Sequence, residues 1–243
     1  MNRNIIIGGA WPYANSSLHL GHIAGLISGD VLARYFRLKG DNVLYVSGSD
    51  THGTPITERA HKEKVNPIEI ASKYHEEFKK MFEKLQFSYD LYSKTYDPYH
   101  EKKVQEIFLK LYKNGYIYEK IEEQAYCEKC GKFLQDRDII LKCPKCGEET
   151  KGDQCDNCLH VPTGEELLEG NCITCGEKLV KRNNKVLYLK LSAFQKEIEE
   201  HTKKVEHEWR INARNETWKY LKQGLQDRAV TRDLDWGVEI PIP

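Results

Sequence analysis

Eight cysteines lie within one short stretch of this sequence, and their spacing limits the fold more than any other feature. They form four C-x2-C pairs: Cys127/Cys130, Cys143/Cys146, Cys155/Cys158 and Cys172/Cys175. In a cytosolic chain this spacing is typical of metal binding rather than disulfides, and four thiolates close one structural zinc site. The sequence therefore predicts a small module held by about two zinc ions, with an iron–sulfur cluster as the competing interpretation.

The four cysteine pairs can be combined in two ways. A sequential scheme joins the first two pairs in one site and the last two in another. A nested scheme joins the second pair with the third and encloses that site between the first pair and the fourth. Both schemes close chemically sensible loops, so the spacing alone leaves the pairing open.

The composition is that of a folded chain without a strong net charge. Its 243 residues carry 37 Lys and Arg against 37 Asp and Glu, and 40% of them are hydrophobic. This length predicts one or two domains with a buried core. The charge balance excludes a strongly basic nucleic-acid binder, although a local basic patch stays possible. The longest apolar run is far short of the roughly 20 residues of a membrane span, and no secretory signal pattern is present, so we expect no membrane contact and a cytoplasmic location.

The stretch before the cysteines has the pattern of an α/β fold. Residues 4–7 are a short β-branched run that ends at Gly8-Gly9, and residues 43–46 are a second apolar run. A helix from about Leu18 to Lys39 is predicted between them. Strand, helix and strand with short connections form a βαβ unit whose two strands are parallel. After the cysteines, residues 186–189 predict a strand and residues 194–226 a mostly helical segment.

Two details of the helix between the first strands follow from the sequence. Ser16 or Ser17 is placed to cap its first turn. Its apolar residues recur at helical spacing, so they should form the buried stripe. The residues of that stripe are Leu20, Ile23, Ala24, Ile27 and Val31.

A pair of histidines stands at the start of this helix, in the run His19-Leu20-Gly21-His22. Residues three apart share one helical turn, so both imidazoles can serve one ligand. Unpaired backbone N–H groups and the helix dipole favour a phosphate at this position. Gly21 would let a flat ring approach the backbone. The competing interpretation is two surface histidines beside a helix cap.

A carboxylate follows the second predicted strand, in residues 49–56 (S-D-T-H-G-T-P-I). Ligands of open α/β sheets bind beyond the carboxyl ends of the strands, so Asp50 would face the same crevice as the first strand's end. There Asp50 could pair with an ammonium group. The alternative is an ordinary turn in which Thr51 or Thr54 caps the next helix.

Residues 8–22, G-G-A-W-P-Y-A-N-S-S-L-H-L-G-H, resemble the signature of the class I aminoacyl-tRNA synthetases, and specifically that of the methionyl family. The family's H-I-G-H element stands here as H-L-G-H, and the P-Y-A-N stretch separates the methionyl family from most other members. Residues 49–56 look like its D-x-H-G-T-P-I segment, and residues 228–237 like its T-R-D-L-D-W-G segment. The resemblance implies the first half of a Rossmann-type parallel sheet with an inserted two-zinc knuckle module.

The resemblance also implies roles in nucleotide binding. His19 and His22 would hold the phosphates of ATP, which binds with magnesium, and Gly21 would lie against the adenine. Arg232, in the T-R-D-L-D-W-G segment, could contact the nucleotide region. A buried Arg232–Asp233 pair with a structural role is the alternative for that residue.

For the amino acid, the resemblance implies a pocket near the first strand. Asp50 would bind the amino group of L-methionine. Ala10, Trp11 and Tyr13 would line the pocket, where aromatic walls suit a polarizable thioether. Trp11 stands where some members have Leu, so its part in the pocket follows less directly than that of Tyr13.

The cysteine module is similar to the connective insertion of this family, some members of which keep only the inner four cysteines. That similarity favours the nested pairing and implies a structural module that shapes the entrance for the tRNA acceptor end. We expect residues 1–118 to form the N-terminal half of the catalytic domain, residues 119–230 the insertion, and residues 231–243 the return segment.

The implied activity is that of a methionine–tRNA ligase, which forms methionyl-adenylate and then charges tRNA. Nothing in the sequence matches the family's K-M-S-K-S loop or its anticodon-binding domain. We therefore expect a fragment or a naturally short relative. A non-catalytic protein that binds methionine or a nucleotide stays possible, and so does a zinc-based module that binds RNA or protein.

Overall fold

A computed structural model describes residues 2–234 and 236–242 of the chain. The chain divides into two compact units. The first unit is Met1–Ile107 with Asp235–Pro243, and the second is Phe108–Leu234. No helix in the described residues is both long enough and apolar enough to pass through a membrane.

The first unit is built on a parallel sheet of three strands in the order β1-β2-β3. The strands are β1 (Asn4–Gly8), β2 (Asn42–Ser49) and β3 (Leu91–Lys94). β1 pairs with β2 from Asn4↔Asn42 to Gly8↔Val46. This confirms the predicted α/β class and its parallel strands. Because the strands are parallel, their carboxyl ends meet at one edge of the sheet, and the predicted site residues follow those ends.

Helices of the first half of the chain connect and follow these strands: α1 (Leu20–Leu38), α2 (Thr54–Glu63), α3 (Pro67–Lys84) and α4 (Pro98–Lys113). The main core of the first unit lies largely between α2 and α3. Its buried members include Ile56, Ile70, Phe78 and Phe82. A smaller cluster places Ile7, Ala33 and Tyr45 between α1 and the sheet.

The buried face of α1 differs from the prediction. Leu20, Ile27 and Val31 are exposed, with Leu20 87% accessible, whereas Leu26, Asp30 and Ala33 are buried. The reason is that Asp30, which a hydrophobic pattern assigns to solvent, accepts hydrogen bonds from the backbone and hydroxyl of Ser88 at 2.5 Å and 2.7 Å. Ile23 of the predicted stripe packs against the core, whereas the buried Leu26 and Asp30 each lie one position before the predicted Ile27 and Val31.

The cap of α1 also differs from the prediction. The helix begins at Leu20, and its N-cap is His19 rather than Ser16 or Ser17. The Nδ1 atom of His19 accepts the backbone N–H of Gly21 at 3.1 Å, which is the contact that a capping serine would have made.

A long antiparallel ribbon dominates the second unit. Strand β4 (Ile117–Cys127) pairs with β9 (Val180–Leu189) from Ile117↔Leu189 to Tyr126↔Val180. The sequence predicted only the last part of β9. The rest of the ribbon was not predicted, because charged and polar residues interrupt the apolar pattern in both strands. Some of these residues pair across the ribbon, as Lys185–Glu119 does at 2.9 Å.

The cysteine module is the segment of the chain that connects the two strands of this ribbon. Short elements make it up: β5 (Lys132–Phe133), β6 (Ile139–Lys142), β7 (Glu149–Lys151), α5 (Gly164–Leu167) and β8 (Asn171–Cys172). Its core consists of Ala125, Cys127, Leu134, Ile139, Leu141, Leu167, Cys172 and Leu179. The core is small, so the fold of the module depends on its cysteines.

The segment predicted as helical after β9 contains two helices, α6 (Gln195–Val205) and α7 (Ile211–Gln223), followed by β10 (Arg228–Ala229). The break falls near Trp209, after a short 3-10 turn over Glu206–Glu208. Leu221 is the buried residue of α7, and the indole of Trp218 donates to Glu206 at 2.5 Å.

Candidate active site and metal centres

The segment after β1 runs beside the end of β2. The backbone N–H of Asp50 donates to Pro12 at 2.9 Å, and the N–H of Ala14 donates to Asp50 at 2.9 Å. Tyr13 and Asp50 thereby form an isolated parallel bridge. This pairing extends the sheet past its regular strands and brings Ala10, Trp11, Tyr13 and Asp50 to its carboxyl edge.

Trp11 lies over the end of β2. A Cβ atom at Gly48 would stand 2.7 Å from the carbonyl oxygen of Ser93 and closer still to the Trp11 ring. Glycine is therefore required for the indole to approach the strand. The ring of His100, from the first turn of α4, also lies near Trp11, with the two ring centroids 6.0 Å apart.

Ala10 and Tyr13 complete the rim of this region. Ala10 is exposed, and its carbonyl oxygen accepts the hydroxyl of Ser47 at 2.9 Å. The side chain of Tyr13 is half exposed, with one ring carbon 3.9 Å from the position that a Cβ of Gly53 would take. Both residues are open to a ligand at the carboxyl edge of the sheet.

Asp50 is half-buried, and burial raises the pKa of its carboxyl. The backbone N–H of His52 donates to its Oδ1 atom at 3.4 Å, and nearby His52 and His100 act in the opposite direction on the same pKa. A bound cation would favour the ionised form, because a carboxylate removed from water gains more from an opposite charge.

The alternative capping roles of the threonines are wrong. Helix α2 begins after Gly53, and no side chain caps it. Thr51 is fully buried, and its hydroxyl lies 2.7 Å from that of Thr95. Its carbonyl oxygen accepts the indole N–H of Trp236 at 2.6 Å, so Thr51 fixes the end of β2 to two other segments.

His52 was not singled out from the sequence. Its ring stands edge-on to Trp236 with centroids 5.2 Å apart, and its Nε2 atom is buried with no hydrogen-bond partner among the described residues. Burial lowers the pKa of His52, so the imidazole is neutral near pH 7. The one indication in the sequence that His52 belongs to the site is its position two residues after Asp50.

A buried polar layer beneath the site was also missed. The hydroxyl of Ser49, at the end of β2, lies 2.9 Å from Nδ1 of His75 and 3.1 Å from the phenol oxygen of Tyr92. The rings of His75 and Tyr92 stack at 5.6 Å. Burial lowers the pKa of His75, which keeps this layer uncharged. A hydrophobic pattern places His75 on the outside of α3, so only the fold reveals the layer.

His19 and His22 lie together at the start of α1. Nδ1 of His22 accepts the backbone N–H of His19 at 3.2 Å, and the two ring centroids are 3.9 Å apart. A Cβ at Gly21 would lie 2.9 Å from a ring carbon of His19, so glycine makes room for this arrangement. The expectation of unpaired N–H groups was wrong for Gly21, whose N–H is capped by His19.

The cysteines form two groups with the nested pairing. The outer group is Cys127, Cys130, Cys172 and Cys175, and the inner group is Cys143, Cys146, Cys155 and Cys158. Within each group all sulfurs lie within 4.8 Å of one another. Close Sγ pairs are 3.4 Å and 3.8 Å apart in the outer group, and 3.6 Å in the inner group.

Each cysteine group fits one tetrahedral ion. Metal–sulfur bonds of about 2.3 Å place neighbouring sulfurs about 3.8 Å apart, close to the observed separations. Hydrogen bonding to Cys175, burial, and hydrogen bonding to Cys127 and Cys172 raise the pKa of the Cys130 thiol to about 12. A bound cation would reverse that effect, so metal binding would release protons.

The closing segment does not contain the buried pair that was the alternative for Arg232. Arg232 and Asp233 are both exposed. Asp233 instead accepts the backbone N–H of Phe133, in β5, at 3.1 Å. Asp235 of the T-R-D-L-D-W-G segment lies outside the described residues, as does Pro243 at the end of the chain.

The sequence is similar to known proteins along nearly its whole length. A family model described as tRNA synthetases class I (M) matches residues 5–243. The chain is 56% identical over 239 residues to methionine--tRNA ligase 1 of Alkaliphilus oremlandii (strain OhILAs), an alignment that covers 98% of this chain and 44% of that protein. It is 53% identical over 241 residues to the methionine--tRNA ligase of Bacillus mycoides (strain KBAB4), with the same shares covered.

A solved structure has the same fold. The Mycobacterium tuberculosis methionyl-tRNA synthetase in complex with methionyl-adenylate matches with a TM-score of 0.71 and 22% sequence identity, over 99% of this chain and 43% of that one. The chain therefore spans less than half the length of the proteins it resembles.

Proposed function

The chain belongs to the class I (M) family of tRNA synthetases, the methionine--tRNA ligases, and on that premise we propose that it carries the methionine- and ATP-binding part of such a ligase. The observation that carries the proposal is the pairing of Tyr13 with Asp50 at the carboxyl edge of the sheet. It places an aromatic wall beside a half-buried carboxylate, which suits an apolar amino acid with a free ammonium group.

Methionine would bind with its ammonium group on Asp50. The attraction is strengthened because burial removes much of the water around the carboxylate. The thioether would lie against Trp11 and Tyr13, since sulfur makes favourable contacts with aromatic rings. Ala10, which leaves room at the rim, would complete the pocket.

ATP, with magnesium, would bind at the start of α1. Because Nδ1 of His19 and Nδ1 of His22 each accept a backbone N–H, the ring proton of each neutral imidazole is on Nε2. Two outward N–H donors at a helix N-terminus suit phosphate oxygens. By the family resemblance, Gly21 would lie against the adenine.

The reaction is adenylate formation. A carboxylate oxygen of methionine attacks the α-phosphorus of ATP, the bond from the α-phosphorus to the bridging oxygen breaks, and pyrophosphate leaves with the electron pair. The methionyl group then passes to a ribose hydroxyl at the tRNA terminus, and AMP leaves. No general base is needed in the first step, because the carboxylate is already ionised. His19 and His22 would stabilise negative charge that develops on the phosphates.

The two cysteine groups would each hold one structural zinc ion. Four thiolates leave no open coordination position, so the ions would support the fold and take no part in the chemistry. Zinc thiolates require reduced cysteines, which fits a cytoplasmic location. We propose that residues 119–230 act as the family's connective insertion at the tRNA acceptor end, between the catalytic segments 1–118 and 231–243.

A second candidate function follows from the length of the alignments. The chain covers 44% of the ligases it matches. In this candidate the 243 residues bind methionine and ATP without catalysing the reaction, a step that requires charge stabilisation of the departing pyrophosphate.

Methionine-dependent ATP–pyrophosphate exchange separates the two candidates. The experiment uses the 243-residue chain and a His19→Ala/His22→Ala double variant. Exchange that the double variant loses supports adenylate formation by the chain. Binding of methionine or ATP without exchange supports the binding protein. A chain that binds neither ligand would contradict both candidates and leave a zinc-based RNA- or protein-binding module.

A further inference from the structure

A single peptide unit, between Thr51 and His52, connects Trp236 to the carboxylate of Asp50. The N–H of this unit, on His52, donates to Oδ1 of Asp50 at 3.4 Å. Its carbonyl oxygen, on Thr51, accepts the indole N–H of Trp236 at 2.6 Å. The sequence patterns assigned Trp236 no role in the site, yet it is one peptide away from the proposed ligand of the ammonium group.

The geometry of the peptide couples these two hydrogen bonds. A peptide unit is planar, so a donor that holds the oxygen of Thr51 also sets the direction of the His52 N–H. Both bonds polarise the same amide group, and hydrogen bonds in such a series strengthen one another. The bond to Asp50 is long at 3.4 Å, so a small rotation of the peptide would break it.

Other contacts hold the rest of this turn. Thr51 is fully buried, and its backbone N–H donates to the hydroxyl of Thr95 at 2.9 Å. The hydroxyl of Thr51 accepts the backbone N–H of Tyr96 at 3.1 Å. The carbonyl oxygen of Thr51 is the group that Trp236 holds. Loss of the indole donor should therefore change the direction of one peptide unit while the end of β2 stays in place.

The indole of Trp236 is itself held by packing. It is partly buried against the main core of the first unit. Its ring lies edge-on to that of His52, with centroids 5.2 Å apart, and 6.0 Å from the ring of Tyr96. The donor is thus fixed in position before any ligand binds, which is the condition for it to orient another group.

We propose that Trp236 is a positioning residue of the amino-acid site: through the Thr51 carbonyl it directs the His52 N–H, which holds the Asp50 carboxylate in place for the substrate ammonium group. The inference rests on the proposed function, because it acts through Asp50. Burial raises the pKa of the Asp50 carboxyl, and the His52 N–H acts against that effect. The N–H therefore favours the ionised carboxylate, which is the form that an ammonium group requires.

Trp236→Phe removes the indole donor and keeps an aromatic ring beside His52 and Tyr96. Calorimetry should show that its Kd for L-methionine rises about three- to tenfold, the usual effect of losing one hydrogen bond. Its Kd for ATP should stay near that of wild type, because the proposed phosphate ligands at the start of α1 do not depend on this peptide.

A methionine analogue without the α-amino group separates a positioning role from a structural one. The analogue has no ammonium group, so its Kd should be the same in wild type and in Trp236→Phe. General damage to the pocket would weaken the binding of both ligands alike.

Trp218→Phe is the matched control. It removes the indole hydrogen bond to Glu206, of 2.5 Å, in the second unit, so the chemical change is the same. Its melting temperature should fall as that of Trp236→Phe does, but its Kd for methionine should stay near that of wild type.

Three results overturn the inference and leave the proposed function in place. They are an unchanged Kd for methionine in Trp236→Phe, a rise that the analogue shares, and an equal rise in Trp218→Phe. A wild-type chain that binds no methionine overturns the inference and the proposed function together.

Nuclear magnetic resonance of the isotope-labelled wild-type chain gives the answer if Trp236→Phe does not fold. The indole N–H signals of the other three tryptophans, Trp11, Trp209 and Trp218, are assigned from their own phenylalanine variants. The remaining signal, that of Trp236, should shift when methionine binds and stay in place when the analogue binds. No shift with methionine, or an equal shift with both ligands, overturns the inference.

Discussion

The Nδ1 atom of His22 accepts the backbone N–H of His19 at 3.2 Å, while Nδ1 of His19 accepts the N–H of Gly21, so the two histidines cap the helix that they begin. The same contacts fix the ring proton of each histidine on Nε2. The proposed phosphate-binding role thus falls on the same two side chains as the capping role, and a simple alanine substitution would remove both.

Replacing His19 by asparagine separates these roles. Asparagine is a good N-cap, so His19→Asn should keep the melting temperature near that of wild type, whereas His19→Ala should lose about 1 kcal/mol of stability. Both variants lack the Nε2 donor, so both should bind ATP more weakly. Thermal unfolding and ATP titration of the two variants check this. An asparagine variant that binds ATP as well as wild type would show that His19 is a cap and nothing more.

Hydrophobic periodicity fails to identify the buried face of α1. The pattern selected Ile27 and Val31, but the helix buries Asp30, because Ser88 supplies two hydrogen bonds and Arg34 supplies a charge at 2.7 Å. Ser88 is far away in sequence, and no local pattern identifies it as the partner. A buried carboxylate is predicted only when its partners are known.

Asp30 should make the stability of the first unit depend on pH. Burial alone would raise the pKa of Asp30, but the hydrogen bonds from Ser88 and Arg34 outweigh it and lower the pKa. A lowered folded-state pKa gives stability that is present above the ordinary value of about 3.9 and lost as the pH falls through the folded value. Asp30→Asn should cost about 1.5–3 kcal/mol at neutral pH and flatten this acid transition.

Melting temperatures between about pH 6 and pH 3 test the role of Asp30. Asp97→Asn provides a control, since that carboxylate is also hydrogen-bonded to backbone but lies at the start of α4. If the Asp30 variant and the control lose stability equally at neutral pH, the Ser88 contacts do not anchor α1.

More of the candidate site than of the second unit could be predicted from the sequence, for a physical reason. Motifs near Tyr13 and Asp50 are local in sequence, and the rule that ligands bind at the carboxyl edge of a parallel sheet brings them together. The pairing of β4 with β9 joins residues about 60 positions apart through charged cross-strand pairs, for which no local pattern exists. His52 and His75 were missed because their roles depend on burial.

Gly48→Ala tests the approach of Trp11 to β2. The new Cβ would overlap the Trp11 ring and the carbonyl of Ser93, so the indole must move. We expect a loss of about 1–3 kcal/mol of stability and a clear rise in the Kd for methionine. Gly25→Ala is the matched control, because a Cβ there meets nothing within 4 Å, and alanine in α1 should stabilise the helix by up to about 1 kcal/mol. Unchanged methionine binding in Gly48→Ala would contradict a pocket wall formed by Trp11.

The outer and inner cysteine groups should differ in how much of the module each one stabilises. The outer group shares a buried cluster with Leu134, Leu141 and Leu179, whereas no cysteine of the inner group belongs to a described apolar cluster. Removing the outer ion should therefore open the whole module, and removing the inner ion should loosen only residues near 143–161. Wild-type protein should contain about two zinc ions per chain, and each double variant about one.

Paired serine substitutions allow that difference to be measured. Cys172→Ser/Cys175→Ser removes two outer ligands, and Cys155→Ser/Cys158→Ser is its inner counterpart with the same chemical change. Hydrogen exchange should report lost protection along β4 and β9 only in the outer variant, and its melting temperature should fall further. Because thiols must lose protons to bind the ion, both sites should also release zinc at acid pH. Equal loss of protection in the two variants would mean that the module unfolds as one unit and that its small apolar core adds nothing to the outer site.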